Sequence, residues 1–185
     1  MAEESGEREA LQSGLKRVAV ALKESGVPFA LAGGYAAWVH GAPEPQHDVD
    51  FLVREPDTQT AREHLQACGI EVIEPAEDWL FKAQVDEVVV DVLFRGQGLP
   101  PEDMLECAET TSVLSVRMPV LGATDVTVEK LLALDEHYCD LAAVLPTLRA
   151  LREQLDWADL QSRVAGHPFA EAALFLAGRL EIAAP

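Results

Sequence analysis

Residues 31–53 read Leu31-Ala-Gly-Gly-Tyr-Ala-Ala-Trp-Val-His-Gly-Ala-Pro-Glu-Pro-Gln-His-Asp-Val-Asp-Phe-Leu-Val53, and this stretch decides the fold. It predicts a strand that ends at Gly33-Gly34, a short helix, a turn, and an apolar strand that carries Asp48 and Asp50. Because strand side chains alternate between faces, residues two apart point the same way, so the two carboxylates lie side by side. Two such anions repel each other unless a cation lies between them, and oxygen ligands suit a hard ion such as Mg²⁺. The stretch therefore predicts a metal site, with solvated acids at a strand end as the alternative.

The Gly33-Gly34 pair adds a second chemical feature beside the acids. Glycine lets the backbone approach a ligand closely, and the helix that follows begins with free N–H groups that favour phosphate. A plain strand-to-helix turn is the alternative. Metal-holding acids beside a phosphate cradle indicate nucleotide chemistry.

A third carboxylate lies in the strongly β-forming segment 87–94, where Asp91 interrupts an apolar run. A charged residue inside such a strand is costly unless it is paired or coordinated. If the two strands are neighbours, Asp91 completes a three-carboxylate site with Asp48 and Asp50, which could hold two Mg²⁺ ions and a triphosphate. An edge-strand acid that faces water is the alternative.

The ordered set of Gly33-Gly34, a short helix, Asp48-x-Asp50 and a later strand Asp91 resembles the polymerase-β-type nucleotidyltransferase superfamily. The helix that ends in His40-Gly41 resembles more narrowly the small bacterial nucleotidyltransferases that include the AbiEii and MenT toxin group. The resemblance covers about residues 28–95.

This resemblance implies an α+β (α/β-like) nucleotidyltransferase fold, in which a mixed sheet is flanked by helices and followed by a C-terminal helical extension. The composition changes near Gly122, so we expect a core over 1–122 and a helical region over 123–185 packed on it. The implied enzyme transfers an NMP from an NTP such as ATP to an acceptor, with Mg²⁺ or Mn²⁺ as cofactor. Its implied catalytic and metal-binding residues are Asp48, Asp50 and Asp91, and its nucleotide-binding residues are Gly33, Gly34 and Lys130.

The acceptor is left open by the sequence. The resemblance implies a toxin-type enzyme that acts on tRNA and is neutralised by an antitoxin protein; a small molecule such as an aminoglycoside is the alternative. A catalytically weak scaffold that only binds a nucleotide or protein is a further alternative. It is motivated by three departures from the family pattern, namely Glu44, Gln46 and Cys139-Asp140.

The net charge of −18, from 32 acids and 14 bases, excludes a generally basic surface, so a long nucleic-acid footprint is not expected. A local basic rim around the site remains open, with Arg54, Lys82, Arg95 and Lys130 as candidates. The sequence has no run of ~18 apolar residues that would cross a membrane, and its acidic N-terminus is unlike a signal peptide. Three widely spaced cysteines fit a reducing compartment, so we expect a cytoplasmic protein.

Periodicity and turn signals predict the remaining elements. The tryptophans Trp38, Trp79 and Trp157 are expected in the core, and His40 is expected to have a structural role at a helix end. The predicted helices are 8–25, 34–40, 57–68, 101–107, 124–136, 139–153, 156–165 and 168–180, and the predicted strands are 29–32, 49–53, 70–73, 80–83, 88–94 and 112–121.

Overall fold

The computed structural model describes residues 2–182, and the side chains from residue 6 onward. Seven strands form one mixed sheet: β1 (Phe29–Ala32), β2 (Val49–Val53), β3 (Glu71–Ile73), β4 (Leu80–Val85), β5 (Val88–Leu93), β6 (Glu109–Val113) and β7 (Val116–Val120). Their order is β3-β4-β5-β2-β1-β7-β6. The central strand β2 runs antiparallel to β1 and parallel to β5. This mixed sheet confirms the predicted α+β class.

Helices cover both faces of the sheet. Within residues 2–182 they are α1 (Ala2–Ser25), α2 (Gly33–Val39), α3 (Thr58–Ala67), α4 (Pro101–Cys107), α5 (Ala123–Leu132), α6 (Leu141–Leu151), α7 (Trp157–Val164) and α8 (Pro168–Arg179), with a 3₁₀ turn at Glu55–Asp57. Both α1 and α3 lie on one face, because Gly14 of α1 packs against Val88 and Val90 and α1 contacts α3. None of the helices described is both long enough and apolar enough to cross a membrane.

The core follows the predicted apolar positions. Every residue of β1 is buried, and α1 buries Leu15, Val18 and Leu22 against the sheet. Full burial on both faces explains why β1 has no polar residue, since an unpaired polar side chain there would cost stability. The strand that precedes the Gly33-Gly34 turn is therefore held firmly on both sides.

Some predicted elements differ from the structure. The single strand expected over 112–121 is wrong, because β6 and β7 form a hairpin whose turn residues Leu114 and Ser115 have φ of 49° and 71°. Asn-Gly or Asp-Gly normally marks such a turn, and Leu-Ser gives no comparable signal. The first helix begins earlier than expected, at Ala2, and the helix expected to reach residue 136 ends at Leu132. The boundary expected at residue 122 stays a prediction.

Candidate active site

The strand register brings two of the three predicted acids together. Asp50 of β2 is paired directly with Asp91 of the parallel strand β5. Asp91 is in turn paired with Lys82 of β4. Residues paired across neighbouring strands project from the same face of a sheet. Lys82, Asp91 and Asp50 therefore form a row across three strands, on the face opposite to α1.

Asp50 and Asp91 of this row line a cleft of about 560 Å³ between the sheet and the helices α5 and α6. Asp50 and Asp91 are half-buried, whereas Asp48 lies just before β2 and is exposed. The cleft is lined by all six residues predicted for the site, namely Gly33, Gly34, Asp48, Asp50, Asp91 and Lys130. The structure thus brings these residues to one place, and their roles stay predictions.

Gly33 is required by its contact with Asp50. Its φ is +55°, a left-handed conformation that disfavours L side chains, and a Cβ at this position would overlap the Asp50 carboxylate. At Gly34, a Cβ would lie 3.0 Å from the Cβ of Pro45. The glycine pair therefore lets the backbone pass directly beside the acid, which is where the sequence predicts a phosphate cradle.

Asp50 has an unusual electrostatic environment. The pKa of Asp50 is raised from 3.8 to about 7, chiefly by burial and then by the negative charges of Asp91 and Asp48, while the backbone N–H of Gly34 and the charge of Lys130 act in the opposite direction. Asp50 is hard to ionise because of its burial and because two other carboxylates lie nearby, so the site as a whole carries excess negative charge. Oxygen donors with such an excess fit a divalent cation such as Mg²⁺ or Mn²⁺.

The raised pKa predicts a pH effect on the metal-free protein. The folded-state pKa of Asp50, about 7, lies above the value of 3.8 expected when unfolded. The contribution of Asp50 to the free energy of unfolding is therefore greatest below pH 3.8, where the carboxyl is protonated in both states. This contribution is lost as the pH rises through about 7. Relative to Asp50→Asn, we expect the wild type to lose at most about 4 kcal/mol between about pH 4 and 8, at roughly 1.4 kcal/mol per pKa unit. Urea unfolding in EDTA across this range measures the difference, and parallel curves for the two proteins would contradict it.

Asp91 forms an ion pair with Lys82. Lys82 Nζ donates to Asp91 Oδ1 at 2.9 Å, and the two side chains are 32% and 25% exposed. In the described part of the chain, the three aspartates do not form a cluster whose ligand oxygens all lie within 4.8 Å of one another. The close convergence expected from the sequence is therefore incomplete. Lys82 pairs with Asp91, and Asp48 lies just before the first residue of β2.

Lys82 is expected to compete with a metal for Asp91. Lys82→Met removes this competitor, so we expect Mn²⁺ to bind about tenfold more tightly, which corresponds to about 1.4 kcal/mol. The metal-free variant should also be about 1 kcal/mol less stable, as for a partly exposed ion pair. Calorimetry with Mn²⁺ measures the first effect. Arg152→Met, which breaks the exposed pair with Glu153, is the matched control. Weaker Mn²⁺ binding in Lys82→Met would instead mean that Lys82 positions Asp91 for the metal.

Three of the four cations that the sequence left open as a basic rim are neutralised by acids. Arg95 pairs with Glu55 and Asp78, Arg54 pairs with Asp57, and Lys82 pairs with Asp91. Of the four candidate cations, Lys130 alone has no ion pair among the residues that the structure describes, and its charge acts on Asp50. The cleft therefore has little free positive charge.

Two aromatic side chains line the cleft without having been predicted there. Trp79 is 40% exposed, so its expected place in the core is wrong, and Tyr138 is 66% exposed. Trp38 and Trp157 do pack against the core. The sequence does contain an indication that Trp79 is exposed. Trp79 follows the acidic pair Glu77-Asp78 in the turn immediately before β4, so it lies outside the strand.

Glu129 was also missed by the sequence analysis. Its carboxylate accepts hydrogen bonds from the backbone N–H groups of Gln97 and Gly98, both at 2.6 Å, and so fixes the loop after β5 to α5. At Gly98 a Cβ would lie 2.9 Å from the same carboxylate. The turn-rich loop is thus an ordered wall of the cleft.

Two residues at the departures from the family pattern, Glu44 and Asp140, have structural partners. Glu44 binds Arg8 and accepts a hydrogen bond from Gln12, which ties the turn before β2 to α1. Asp140 caps α6 by accepting a hydrogen bond from the Ala143 N–H at 3.1 Å. His40 Nε2 lies 2.8 Å from the Leu121 carbonyl, in agreement with the structural role that we expected.

The mixed seven-stranded sheet and its flanking helices match the nucleotidyltransferase fold. Comparisons with solved structures support it at low sequence identity. Antibiotic-resistance factor ANT(2'')-Ia is similar in solution, with a TM-score of 0.59 and 12% identity over 91% of this chain and 97% of that one. It is also similar in complex with adenylyl-2''-tobramycin, with a TM-score of 0.59 and 9% identity over 89% and 97%. An antigenic nucleotidyltransferase-like protein from Paracoccidioides brasiliensis gives 0.54 and 15% over 90% and 93%.

No protein-family model and no curated protein matches the sequence. The structural similarities confirm the predicted fold. The narrower grouping with AbiEii and MenT proteins stays a prediction.

Proposed function

We propose that this protein is a divalent-metal-dependent nucleotidyltransferase that transfers an NMP from an NTP to a hydroxyl of a small cationic acceptor. The observation that carries the proposal is the direct pairing of Asp50 with Asp91 beside the Gly33 turn. Burial and the repulsion from Asp91 raise the pKa of Asp50 to about 7, and a pKa perturbed in this way inside a cleft is typical of a functional site.

Each residue has a defined part in this proposal. Asp50 and Asp91, with Asp48 at the mouth of the cleft, would hold Mg²⁺ or Mn²⁺. A bound divalent ion would supply charge stabilisation for the triphosphate and for the departing pyrophosphate. Lys130 would contact the phosphates, and the backbone at Gly33 and Gly34 would let them approach. The acceptor oxygen forms a bond to the α-phosphorus of the NTP. The bond between this phosphorus and the oxygen that bridges to the β-phosphate breaks, and pyrophosphate leaves. The acceptor proton passes to Asp91.

The charge of the cleft supports a cationic small molecule as acceptor. Asp78, Glu129 and Asp140 line the cleft in addition to the three aspartates, and an acidic cleft attracts cations. The exposed rings of Trp79 and Tyr138 offer faces on which a cationic ligand can pack. One structural neighbour was determined with an adenylyl-aminoglycoside, which is a compound of this class.

A tRNA acceptor would require free basic side chains along its path, since affinity for a nucleic-acid backbone depends on them. Arg95, which lines this cleft, is paired with Glu55 and Asp78, and the net charge of the chain is −18. The expected toxin activity and the antitoxin partner therefore gain no support here and stay predictions.

The test is transfer of label from α-labelled NTPs, with Mg²⁺ or Mn²⁺, to a panel of aminoglycosides and, separately, to a pool of tRNAs. We expect labelled aminoglycoside from the wild type and none above background from Asp50→Asn. Labelled tRNA with unlabelled aminoglycoside would overturn the acceptor class but not the chemistry. Nucleotide binding by calorimetry without transfer to either acceptor would favour the non-catalytic scaffold and contradict the proposal.

A further inference from the structure

A second group of metal-ligating side chains lies on the face of the sheet that α1 and α3 cover, away from the cleft. Glu24 is in the last turn of α1, His64 is in the last turn of α3, and Cys68 follows α3 directly. One ligand atom of each residue lies within 4.8 Å of those of the other two. Because α1 and α3 contact each other, the group joins the ends of two packed helices.

Local backbone structure fixes two of these side chains relative to each other. The Cys68 N–H donates to the His64 carbonyl at 3.0 Å, so the helical turn continues through both residues. Residues four apart in a helix lie on one face, which places the imidazole and the thiol side by side. Gly69, with a φ of +74°, then ends the helix.

The chemical state of the three residues leaves them available to a ligand. His64 Nε2 is shielded from solvent and has no hydrogen-bond partner among the described residues, which is costly for a polar atom. Cys68 is a free, exposed thiol. An orphaned imidazole nitrogen beside a free thiol and a carboxylate is not accounted for by packing.

We propose that Glu24, His64 and Cys68 bind one Zn²⁺ ion. Thiolate, imidazole and carboxylate form a donor set that zinc takes, whereas Mg²⁺ prefers oxygen ligands alone. Three protein ligands leave the fourth tetrahedral position to water, which the exposed location allows. On binding, the Cys68 thiol gives its proton to solvent, and the two anionic ligands then balance the charge of the ion.

The nearby charges are compatible with this site. Lys16 and Arg17 line the adjacent surface hollow of about 300 Å³, together with Glu24 and Cys68. Arg17 is engaged by Asp86 at 3.0 Å. The bound ion would link the end of α1 to the end of α3. The expected consequence is a higher stability of this helix pair, with no change in the structure of the cleft.

Cobalt spectroscopy tests the site independently of enzymatic activity. Co²⁺ is added to the full chain in excess Mg²⁺, so that hard oxygen sites are occupied by Mg²⁺. We expect one Co²⁺ per chain with a thiolate-to-cobalt charge-transfer band. Cys68→Ser should abolish this band, and His64→Ala should weaken Co²⁺ binding at least about tenfold. Cys107→Ser, which removes another exposed cysteine, is the matched control and should leave the band unchanged.

A second measurement uses Zn²⁺ itself. Zn²⁺ should raise the unfolding midpoint of the wild type and of Asp50→Asn, but not that of Cys68→Ser, because binding to the folded state alone stabilises it. A wild type without the charge-transfer band, or a band retained in Cys68→Ser, overturns the proposal. Failure of nucleotidyl transfer would leave these outcomes unaffected, so the two proposals are tested separately.

Discussion

Gly33→Ala is expected to lower nucleotidyl transfer by about 100-fold or more while the protein still folds. The new Cβ would occupy the space of the Asp50 carboxylate, so the acid must leave its present position beside Asp91. A displacement of about 1 Å of a reacting group can cost about 100-fold in rate. Steady-state transfer assays measure the loss, and the Mn²⁺ affinity of the variant should fall in parallel.

Gly26→Ala is the matched control for this prediction. Gly26 also has a positive φ, +76°, but a Cβ there would meet no atom within 4 Å. Both substitutions should therefore cost about 1–2 kcal/mol of stability for the left-handed backbone. Only Gly33→Ala should lose activity. Equal activity in the two variants would mean that the contact between Gly33 and Asp50 has no catalytic importance.

Asp50→Asn is expected to abolish activity and, at the same time, to stabilise the metal-free protein at neutral pH. Loss of one metal-holding carboxylate removes several kcal/mol of transition-state stabilisation, which corresponds to roughly a 1000-fold loss in rate. The stability gain has a different cause: a neutral amide avoids the burial of a charge and the repulsion from Asp91 and Asp48, which together raise the pKa of Asp50. A gain in stability with a loss of activity is typical of a residue kept for function.

Two further variants sharpen this test. Asp91→Asn should reduce activity to a similar extent, yet it should not be stabilising to the same degree, because it breaks the ion pair with Lys82. Asp103→Asn, an exposed acid on α4 outside the cleft, should change neither property. Calorimetric unfolding in EDTA and transfer assays on the same preparations give both readouts. Asp50→Asn with unaltered activity would remove the basis of the proposed function.

Local sequence patterns were sufficient for the central elements. The apolar runs at β1 and β2 and the helix between them were predicted nearly to the residue, since burial on both faces leaves a strong signal. Asp91 could be predicted as a candidate for the site because a single acid interrupts an apolar strand. In contrast, the hairpin of β6 and β7 was missed, since the turn at Leu114 lacks the residues that usually adopt positive φ.

The remaining site residues could not be found from local patterns. Trp79, Tyr138 and Glu129 come from different segments and meet only because the cleft forms between the sheet and the last helices. The pairing of Lys82 with Asp91 likewise depends on the register of β4 against β5. In a single sequence a lysine in a strand is indistinguishable from any surface lysine.

By itself, the sequence determined that an apolar strand carries Asp50, that an acid lies inside β5, and that a glycine pair follows β1. The tertiary structure alone decided that β5 lies parallel to β2 with Asp91 level with Asp50, and that Lys82 occupies the other side of Asp91. The reason is that side-chain period specifies which face a residue takes, whereas the identity and register of the neighbouring strand are set by packing between distant segments.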